Sequence, residues 1–415
     1  MSSDLALELL ASGYRAIPEQ RARAGGQPDF STRLLGRRTL VVRGVDGARL
    51  FYDPTVVERH HAVPAALSGL LFGRGAIHGL DGAAHLLRKR MFLQILSAER
   101  VVDLADRVTA RLVEQGRAWP GRDEVVLFNE LATAYGFAVL EWAGVGCSAS
   151  RAHRVVRDLA AIVDGFGGSG AAWVRGWQAR LRADHWARTL VHEVRAGVRR
   201  PPETTALAVI AGTDLSPGKA AVELLNVLRP TVAIAWPGTF AALALHQHPA
   251  WRDRMPGSAE AFAHEVRRFY PFVPALTGLA ARPFDHHGRR FAKGTRLVLD
   301  VPGTNCDRAV WADPEQFRPE RFDGWQADAW SFVPQGGGYA DAGHRCPGEP
   351  ATVAVLARTV RVLADVGFEV PNPEYDMARI PTVPHGGLRL TGVRLPAGWG
   401  AADDRRPGSP LWSSG

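Results

Sequence analysis

The sequence predicts a mainly α-helical fold with a small β portion. Apolar residues recur at helical spacing through most of the chain after residue 85, whereas strand-like runs are confined to the first sixty residues and a segment near residue 300. No repeat or compositional break marks a linker, so residues 1–400 are expected to form one domain. The last fifteen residues, 401–415, are polar and carry Pro and Gly, which predicts a disordered tail.

The elements are predicted in chain order from periodicity and from start and stop signals. Residues 1–15 indicate a short amphipathic helix, and residues 37–53 two short strands around a Gly-Val-Asp-Gly turn. Leu104, Val108 and Leu112 recur at helical spacing, Ser216-Pro217 is typical of a helix start, and Pro271 ends a helix. Helices are expected at 101–119, 127–143, 153–166, 183–198, 220–246, 259–270 and about 349–366, with a strand at 296–301 and loops over 311–347.

Charge and composition exclude several classes of protein. The 50 basic and 42 acidic residues leave a net charge of +8, spread without a Lys/Arg block interleaved with aromatic residues, so no nucleic-acid partner is expected. The N-terminus carries Asp4 and Glu8 inside its apolar stretch and does not resemble a signal peptide. The most apolar segment, 220–246, contains Glu223 and Arg229 and is expected to be a buried helix, not a membrane span. Three cysteines fit a reducing compartment, hence a cytoplasmic location.

The segment from Phe332 to Glu349 carries the clearest chemical signal. Three consecutive glycines and a fourth let the backbone bend around a bound group, and Cys346 follows just before a predicted helix. Backbone N–H groups and the helix dipole favour a thiolate there, and His344 and Arg345 add positive neighbours. The alternative is a free buried cysteine in a loop. Cys147 and Cys306 lack this setting and are expected to be structural.

A second constellation supports a bound cofactor. Glu265 and Arg268 lie three residues apart on one helix face, a pair that is common and weak in isolation. An Arg-rich turn, Phe317-Arg-Pro-Glu-Arg-Phe322, separates this helix from the cysteine loop. Its Arg321 can complete a Glu–Arg–Arg network buried behind a cofactor.

These three motifs together resemble the cytochrome P-450 superfamily, over about residues 30 to 395. The resemblance implies a P-450 fold, with haem b between the long central helix and the cysteine loop. Residues 1–400 would then be one catalytic domain. It also implies roles for individual residues: Cys346 as the axial thiolate ligand of iron, Glu265, Arg268 and Arg321 as the structural triad, and His85, Lys89 and His344 as contacts of the haem propionates.

The central helix departs from the ordinary superfamily pattern. Ordinary members carry an acid–alcohol pair there, whereas this chain has Arg229-Pro230, followed by Thr231 with no acid beside it. The loop before Cys346 is also longer than usual. Both features resemble the bacterial fatty-acid peroxygenase branch, which hydroxylates the alpha or beta carbon, or decarboxylates. The resemblance implies hydrogen peroxide as co-substrate and no redox partner.

Arg229 and Pro230 are both costly where they stand. A proline inside a helix loses a backbone hydrogen bond and costs about 3 kcal/mol, which a kink or groove facing the haem would offset. A guanidinium in an apolar helix needs an anion. That anion is either a structural ion-pair partner or, as the resemblance implies, the substrate carboxylate. A carboxylate held there would place C2 and C3 nearest the oxidant and could serve as the general acid–base.

The resemblance also suggests an apolar channel and a nearby histidine. Six residues are matched to the family's substrate cavity, although each could equally be a core residue: Leu71, Phe72, Val163, Phe166, Phe272 and Val273. His78 matches a position close to haem and substrate, where it could act as a proton donor; the alternative is a surface or hydrogen-bonded histidine.

Three alternatives to a fatty-acid peroxygenase remain open at this stage. The first is a reductase-dependent monooxygenase of the same fold, which the missing acid–alcohol pair disfavours. The second is a peroxygenase acting on another carboxylic acid, because Trp236 and Pro237 interrupt the expected aliphatic run of the central helix. The third is a haem-binding sensor without catalytic turnover.

Overall fold

The computed structural model describes residues 4–399, apart from the side chain of Pro256, so the predicted tail at 401–415 lies outside the described residues. Helices dominate and strands are short, which confirms the predicted mainly α fold. The helices are α1 (Leu5–Ser12), α2 (Ala16–Arg23), α3 (Gly44–Tyr52), α4 (Ala65–Leu71), α5 (Gly82–Ile95), α6 (Ala98–Gly116), α7 (Leu127–Trp142), α8 (Ala149–Phe166), α9 (Gly170–Arg195), α10 (Ala206–Ala211), α11 (Pro217–Ala233), α12 (Ala235–Gln247), α13 (Met255–Phe269), α14 (Val301–Asn305) and α15 (Glu349–Ala364).

The β portion of the described chain consists of two sheets and a hairpin. Its strands are β1 (Phe30–Leu34), β2 (Arg37–Val42), β3 (Val57–Glu58), β4 (Val125–Val126), β5 (Ala275–Ala280), β6 (Phe284–His286), β7 (Arg289–Phe291), β8 (Arg296–Asp300), β9 (Gly367–Glu369) and β10 (Arg389–Arg394). The larger sheet has the order β1-β2-β8-β5-β3, with β2 and β8 parallel and the other pairs antiparallel. The smaller has the order β4-β10-β9, and β6 pairs with β7.

The central apolar segment forms α11 and α12, which meet at Ile234. Nearly all of its residues are buried in the main hydrophobic core, as predicted for 220–246. Residues 217–247 are long and apolar enough to cross a bilayer by composition alone, but 89% of the most apolar window is buried inside the protein. Pro230 lies within α11, where it has no N–H to donate to the carbonyl of Asn226.

Most predicted helices occur within a few residues of their expected limits, because each has a long apolar stripe and a clear end. The exception in length is α9, which begins at Gly170 and not near 183. Its first half exposes several apolar residues and buries Gly176 and Ala179, so the periodicity there is weak.

The predicted strand pair at 37–53 is half wrong. Residues 37–42 form β2, but the turn and second strand are replaced by α3. Gly44, Gly47, Ala48 and Phe51 are the buried residues of α3, a spacing of three and four that fits one helical face. The Gly-Val-Asp-Gly run therefore begins a helix. Its first residue, Gly44, has a φ of 73°, a backbone conformation that glycine adopts readily.

Candidate active site: a cysteine loop and a buried arginine

The cysteine loop runs from Phe332 and delivers Cys346 to the start of α15. The backbone N–H of Cys346 donates to the Gln335 carbonyl at 3.1 Å, which closes the loop beneath the sulfur. Burial raises the pKa of the Cys346 thiol, while the Gly348 N–H, Lys89 and Arg267 lower it. The helix-start effect expected from the sequence is therefore present but outweighed by burial, so a thiolate at this position requires a bound cation.

Arg345 does not supply the positive charge predicted from the sequence. Its Nε donates to Glu349 at 2.6 Å, and Arg267 binds the other oxygen of that carboxylate. Arg267 also donates to the side chain of Gln335 at 3.0 Å. The carboxylate of Glu349 thus joins α13, α15 and the loop, and it holds the backbone around Cys346. Sequence reasoning missed this clamp, although the Arg345–Glu349 spacing of four residues was a signal for it.

The predicted Glu265, Arg268 and Arg321 come together as a buried network. Arg268 forms a bidentate pair with Glu265, at 2.6 and 2.7 Å, and Arg321 approaches the same carboxylate at 3.2 Å. The Arg318 N–H donates to it at 2.7 Å. Arg268 continues to the carbonyls of Pro314 and Gln316, so the network ties α13 to the loop-rich segment that leads to Cys346.

The three predicted propionate contacts lie together on the other side of Cys346. Lys89 is buried and donates to the carbonyls of Gly343 and Arg345, and the rings of His85 and His344 are 4.0 Å apart. His344 is held by Asp81, at 3.4 Å. Burial lowers the pKa of Lys89 to about 8 and that of His85 to about 4.

Arg59 joins this cluster, and sequence reasoning missed it because a single arginine in a loop carries no pattern. Its Nη2 donates to the Phe51 carbonyl at 3.1 Å, while its buried Nη1 has no hydrogen-bond partner within residues 4–399. Burial lowers the pKa of Arg59. The charge of Arg59 acts on His85 and on His344, so it adds a second cation to the cluster that holds Lys89, and this set fits the propionates of a haem whose iron Cys346 would bind. The described residues therefore fit the predicted cofactor.

Arg229 is buried and has no carboxylate partner among the described residues. Its only hydrogen bond is from Nη2 to the Asn226 side chain, at 3.3 Å, and its buried Nε has none. Burial, and to a lesser extent the charge of Arg180, lower the pKa of Arg229 to about 9 against an opposing effect of Cys346. The group is a cation at neutral pH, within electrostatic reach of the cysteine. The structural ion pair considered from the sequence is absent from residues 4–399, so this buried cation has no compensating carboxylate among them.

A buried carboxylate holds this arginine in place through an amide. Glu223, the acid of α11, accepts hydrogen bonds from Arg88 at 2.7 Å and from the Ile77 N–H at 2.9 Å. It also accepts one from Asn226 at 3.0 Å, and Asn226 in turn accepts the one from Arg229. The carboxylate of Glu223 thus binds Arg88 of α5 and the backbone of the loop before α5, and it does not pair with Arg229. It is a positioning residue for the arginine.

We expect Glu223→Gln to raise the KM for a carboxylic acid, the substrate class that the resemblance implies for Arg229, about tenfold with a smaller effect on kcat, because the amide cannot hold Arg88, Ile77 and Asn226 together. The measurement is steady-state kinetics together with substrate titration monitored by the haem spectrum. Asp184→Asn is the matched control, since Asp184 pairs with the buried Arg180 on α9. Equal KM changes in both variants would mean that Glu223 acts only through general electrostatics.

No acid–alcohol pair occurs at Thr231. Its hydroxyl donates to the Val227 carbonyl of the preceding helical turn, at 3.2 Å. The hydroxyl is therefore used by the helix itself, and among the described residues no carboxylate lies within 4.0 Å of Arg229, two positions earlier. This agrees with the sequence pattern Arg229-Pro230-Thr231.

His78 lies against the same interior as Arg229. Its ring stacks on Phe72, with centroids 3.9 Å apart, and neither ring nitrogen has a hydrogen-bond partner in the described chain. The ring has accessible surface beside Phe72, and Phe72 in turn faces the Arg229 guanidinium at 5.9 Å. Burial, followed by the charge of Arg229, lowers the pKa of His78 to about 3. The imidazole is therefore neutral at physiological pH and free to donate one N–H.

The predicted apolar channel is brought together in part. Val163 packs with Trp236 and Ala233 in one buried cluster, against which Phe272 also packs. Leu71 ends α4, Phe166 ends α8, and Val273 follows Phe272; these three are partly buried. Phe72 lies 5.9 Å beneath the Arg229 guanidinium. The wall residue that sequence analysis named only as an irregularity is Trp236, buried at 1% exposure.

The fold and these contacts define a haem-thiolate protein, with a loop cysteine, a buried Glu–Arg–Arg network and a cationic cluster that fits propionates. The structure is similar to that of cytochrome P-450SP alpha (CYP152B1) in complex with (R)-ibuprofen, with a TM-score of 0.91, 39% identity, and coverage of 95% of this chain and 100% of that chain. It is also similar to ligand-free cytochrome P-450 OleT, with a TM-score of 0.91, 33% identity, and coverage of 95% and 98%. The chain belongs to the cytochrome P-450 family and groups with the branch of these two structures, which confirms the resemblance and the predicted fold.

Two further comparisons agree with this assignment. The family model for cytochrome P-450 matches residues 242–359, which include the triad helix and the cysteine loop. Cytochrome P-450 137 of Mycobacterium tuberculosis is 29% identical over 213 residues, 47% of this chain, and the match spans 44% of the length of that relative. The chain is a P-450 oxidoreductase, and Cys346 would hold the iron of a bound haem.

Proposed function

We propose that the chain is a peroxygenase that uses hydrogen peroxide to hydroxylate fatty acids at the alpha or beta carbon, with decarboxylation to terminal alkenes as a second outcome of the same binding mode. Residues 1–400 would form its catalytic domain, acting in the cytoplasm without a redox partner. The observation that carries the proposal is Arg229, a buried cation without a carboxylate partner in residues 4–399 and within electrostatic reach of Cys346.

Arg229 is suited to bind a carboxylate. Its Nη1, which has no hydrogen-bond partner in the described chain, and its weakly bound Nη2 can donate two parallel hydrogen bonds to the oxygens of one carboxylate, a geometry that a guanidinium favours. Two of the similar structures hold carboxylic acids: CYP152B1 holds (R)-ibuprofen and a variant of OleT holds arachidonic acid, the latter at 32% identity and a TM-score of 0.91. An acid bound by Arg229 would have its first carbons nearest the cofactor.

Bound haem supplies the oxidising chemistry with peroxide. The chain's own residues would then bind, orient and move a proton. Arg229 holds the substrate carboxylate where it can accept a proton from peroxide and return it to the departing oxygen, the role that an acid–alcohol pair fills elsewhere in the family. Thr231 cannot fill it, since its hydroxyl is bonded within α11. The neutral His78 would donate an N–H to the oxidised substrate or a water, not an acidic proton.

The test is to supply the haem-loaded protein with a fatty acid and either hydrogen peroxide alone, or dioxygen with a reductase and reduced nicotinamide, and to identify products by mass spectrometry. We expect hydroxy acids or alkenes with peroxide alone. Products formed only with the reductase would support the monooxygenase alternative, and a haem spectrum without products would support a sensor.

Trp236 favours a second candidate, the same chemistry on a bulkier or aromatic acid. Ala233 and Trp236, on either side of the division at Ile234, belong to one buried cluster, and Arg229 lies one turn before Ala233 on α11. Trp236 packs on Phe272 at 6.1 Å and edge-on to Phe128 at 4.6 Å, which makes a broad aromatic wall.

We expect Trp236→Leu to shift the ratio of long-chain to aromatic acid turnover toward long chains by about tenfold, because the smaller side chain deepens the pocket and removes aromatic stacking. Competition between a long fatty acid and an arylpropionic acid measures the ratio. Phe137→Leu is the control, as Phe137 packs edge-on against His153 and is outside this wall. An unchanged ratio would place Trp236 outside the substrate pocket.

A further inference from the structure

A group of metal-ligating side chains lies away from the cysteine loop, at the turn of the β6–β7 hairpin. Asp29, His286 and His287 bring one carboxylate oxygen and two imidazole nitrogens within 4.8 Å of one another. The Nε2 atom of His286 is 2.6 Å from Asp29 Oδ2, and that of His287 is 3.3 Å from the same oxygen. Nothing in the proposed peroxygenase chemistry uses these residues.

We propose that Asp29, His286 and His287 form a binding site for a divalent first-row transition metal ion, with Zn²⁺ as the best-fitting member. Two imidazoles and a carboxylate are the ligand set that Zn²⁺ accepts, with solvent in the fourth position. The burial pattern is suitable, since Asp29 and His286 are largely buried and preorganised, whereas His287 is open to solvent and gives an entry path.

The donor separations fit a small ion after one short adjustment. Tetrahedral ligands about 2.0 Å from zinc are about 3.3 Å apart. The Asp29–His287 pair already has this separation. The Asp29–His286 pair is at hydrogen-bond distance and opens by a fraction of an ångström as the proton of His286 moves to Nδ1, leaving the Nε2 lone pair to the metal.

The surrounding contacts hold the ligands in these positions. The backbone N–H of Arg43 donates to Asp29 Oδ1 at 3.2 Å, which orients the carboxylate and leaves Oδ2 toward the imidazoles. His286 pairs with Arg289 across the hairpin, and the stacked rings of Phe284 and Phe291, 5.1 Å apart, anchor it.

The turn itself places the second histidine. His287 has a φ of 47° and Gly288 a φ of 70°, the left-handed pair of a two-residue hairpin turn. Left-handed backbone is uncommon for a residue with a side chain, and here it points His287 back toward Asp29. A bound ion would therefore join the segment before β1 to the hairpin.

The chain offers a matched control for this geometry. His61 also has a positive φ, of 56°, also follows another histidine, and is exposed. Its ring lies 3.8 Å from that of His60, but neither ring has a carboxylate within 4.0 Å among the described residues. A His61→Ala variant thus repeats the backbone and surface changes of His287→Ala without touching the proposed ligands.

The test is calorimetric titration of Zn²⁺ into the tag-free, haem-loaded protein after treatment with a chelator. We expect one site per chain, an affinity at least about tenfold weaker in His287→Ala and Asp29→Asn, and an affinity within about twofold of the original in His61→Ala. Zinc should also raise the unfolding temperature of the original protein and of His61→Ala, but not of His287→Ala. Absence of a one-to-one site in the original protein, or equal binding in His287→Ala and His61→Ala, would overturn the proposal.

Discussion

Arg229→Ala is expected to abolish peroxide-driven oxidation of fatty acids, with a loss of about 10²-fold or more in kcat/KM. The substitution removes the guanidinium that orients the substrate. The substrate carboxylate is then no longer held where it can act as the general acid–base in the proton transfer. The expected loss appears in two independent readouts, product formation with peroxide and the substrate-induced change in the haem spectrum.

The same variant should not lower stability. Because the guanidinium is buried without a carboxylate partner in the described chain, its removal relieves an unfavourable burial, so the unfolding temperature should be unchanged or higher. Arg182→Ala is the matched control, since Arg182 is exposed on α9 and pairs with Asp158. Undiminished turnover by Arg229→Ala, or an equal loss in Arg182→Ala, would contradict the role given to Arg229.

Cys346→Ser is expected to remove the thiolate signature of the haem spectrum with carbon monoxide and to reduce peroxygenase activity to background. An alcohol is a poorer ligand than a thiolate and does not donate electron density to iron in the same way. Haem would still be retained in part, because Arg59, Lys89 and the histidines around them remain. Cys147→Ser is the control, as Cys147 is partly buried at the edge of the helical core. Retention of the thiolate signature in Cys346→Ser would refute the assignment.

The fold was predictable where apolar residues recurred at the spacing of an α-helix. The helices α6, α7, α8 and α15 follow from apolar stripes and clear ends, and the buried central segment from its composition. The helix α3 was not predictable in this way, because its four buried residues include two glycines, which carry no hydrophobic signal. The division of the central segment at Ile234 follows Pro230 by four residues. The sequence predicted a kink near this proline but not two separate helices.

The site was predictable where the chain kept chemical groups close in sequence. Cys346 and its loop, Glu265 with Arg268, and Arg229 with Pro230 all form short motifs. Glu265, Arg268 and Arg229 are buried, and the roles given to all these residues stay predictions. Partners from distant segments carried no such signal. Arg59 reaches its cluster from the loop after β3, and Glu223 is linked to α5 through Arg88.

The charge around the cysteine shows why motif reasoning can assign the wrong group. Arg345 is next to Cys346 in sequence, but its side chain turns to Glu349. Lys89 and Arg267, distant in sequence, are the cations that lower the pKa of the thiol against the effect of burial. The prediction for Arg345 rested on its position next to Cys346 in the sequence. The effect of a cation on the pKa of the thiol depends instead on where its side chain points.

The most direct measurement compares one fatty acid with its methyl ester as substrates of the haem-loaded protein, with hydrogen peroxide as the sole oxidant. The ester keeps the alkyl chain and removes both the negative charge that Arg229 binds and the group that accepts the proton. We expect the acid to give a product that is oxidised at the alpha or beta carbon, or decarboxylated. We expect no product above background from the ester. Equal oxidation of acid and ester, or no oxidation of either, would contradict this expectation.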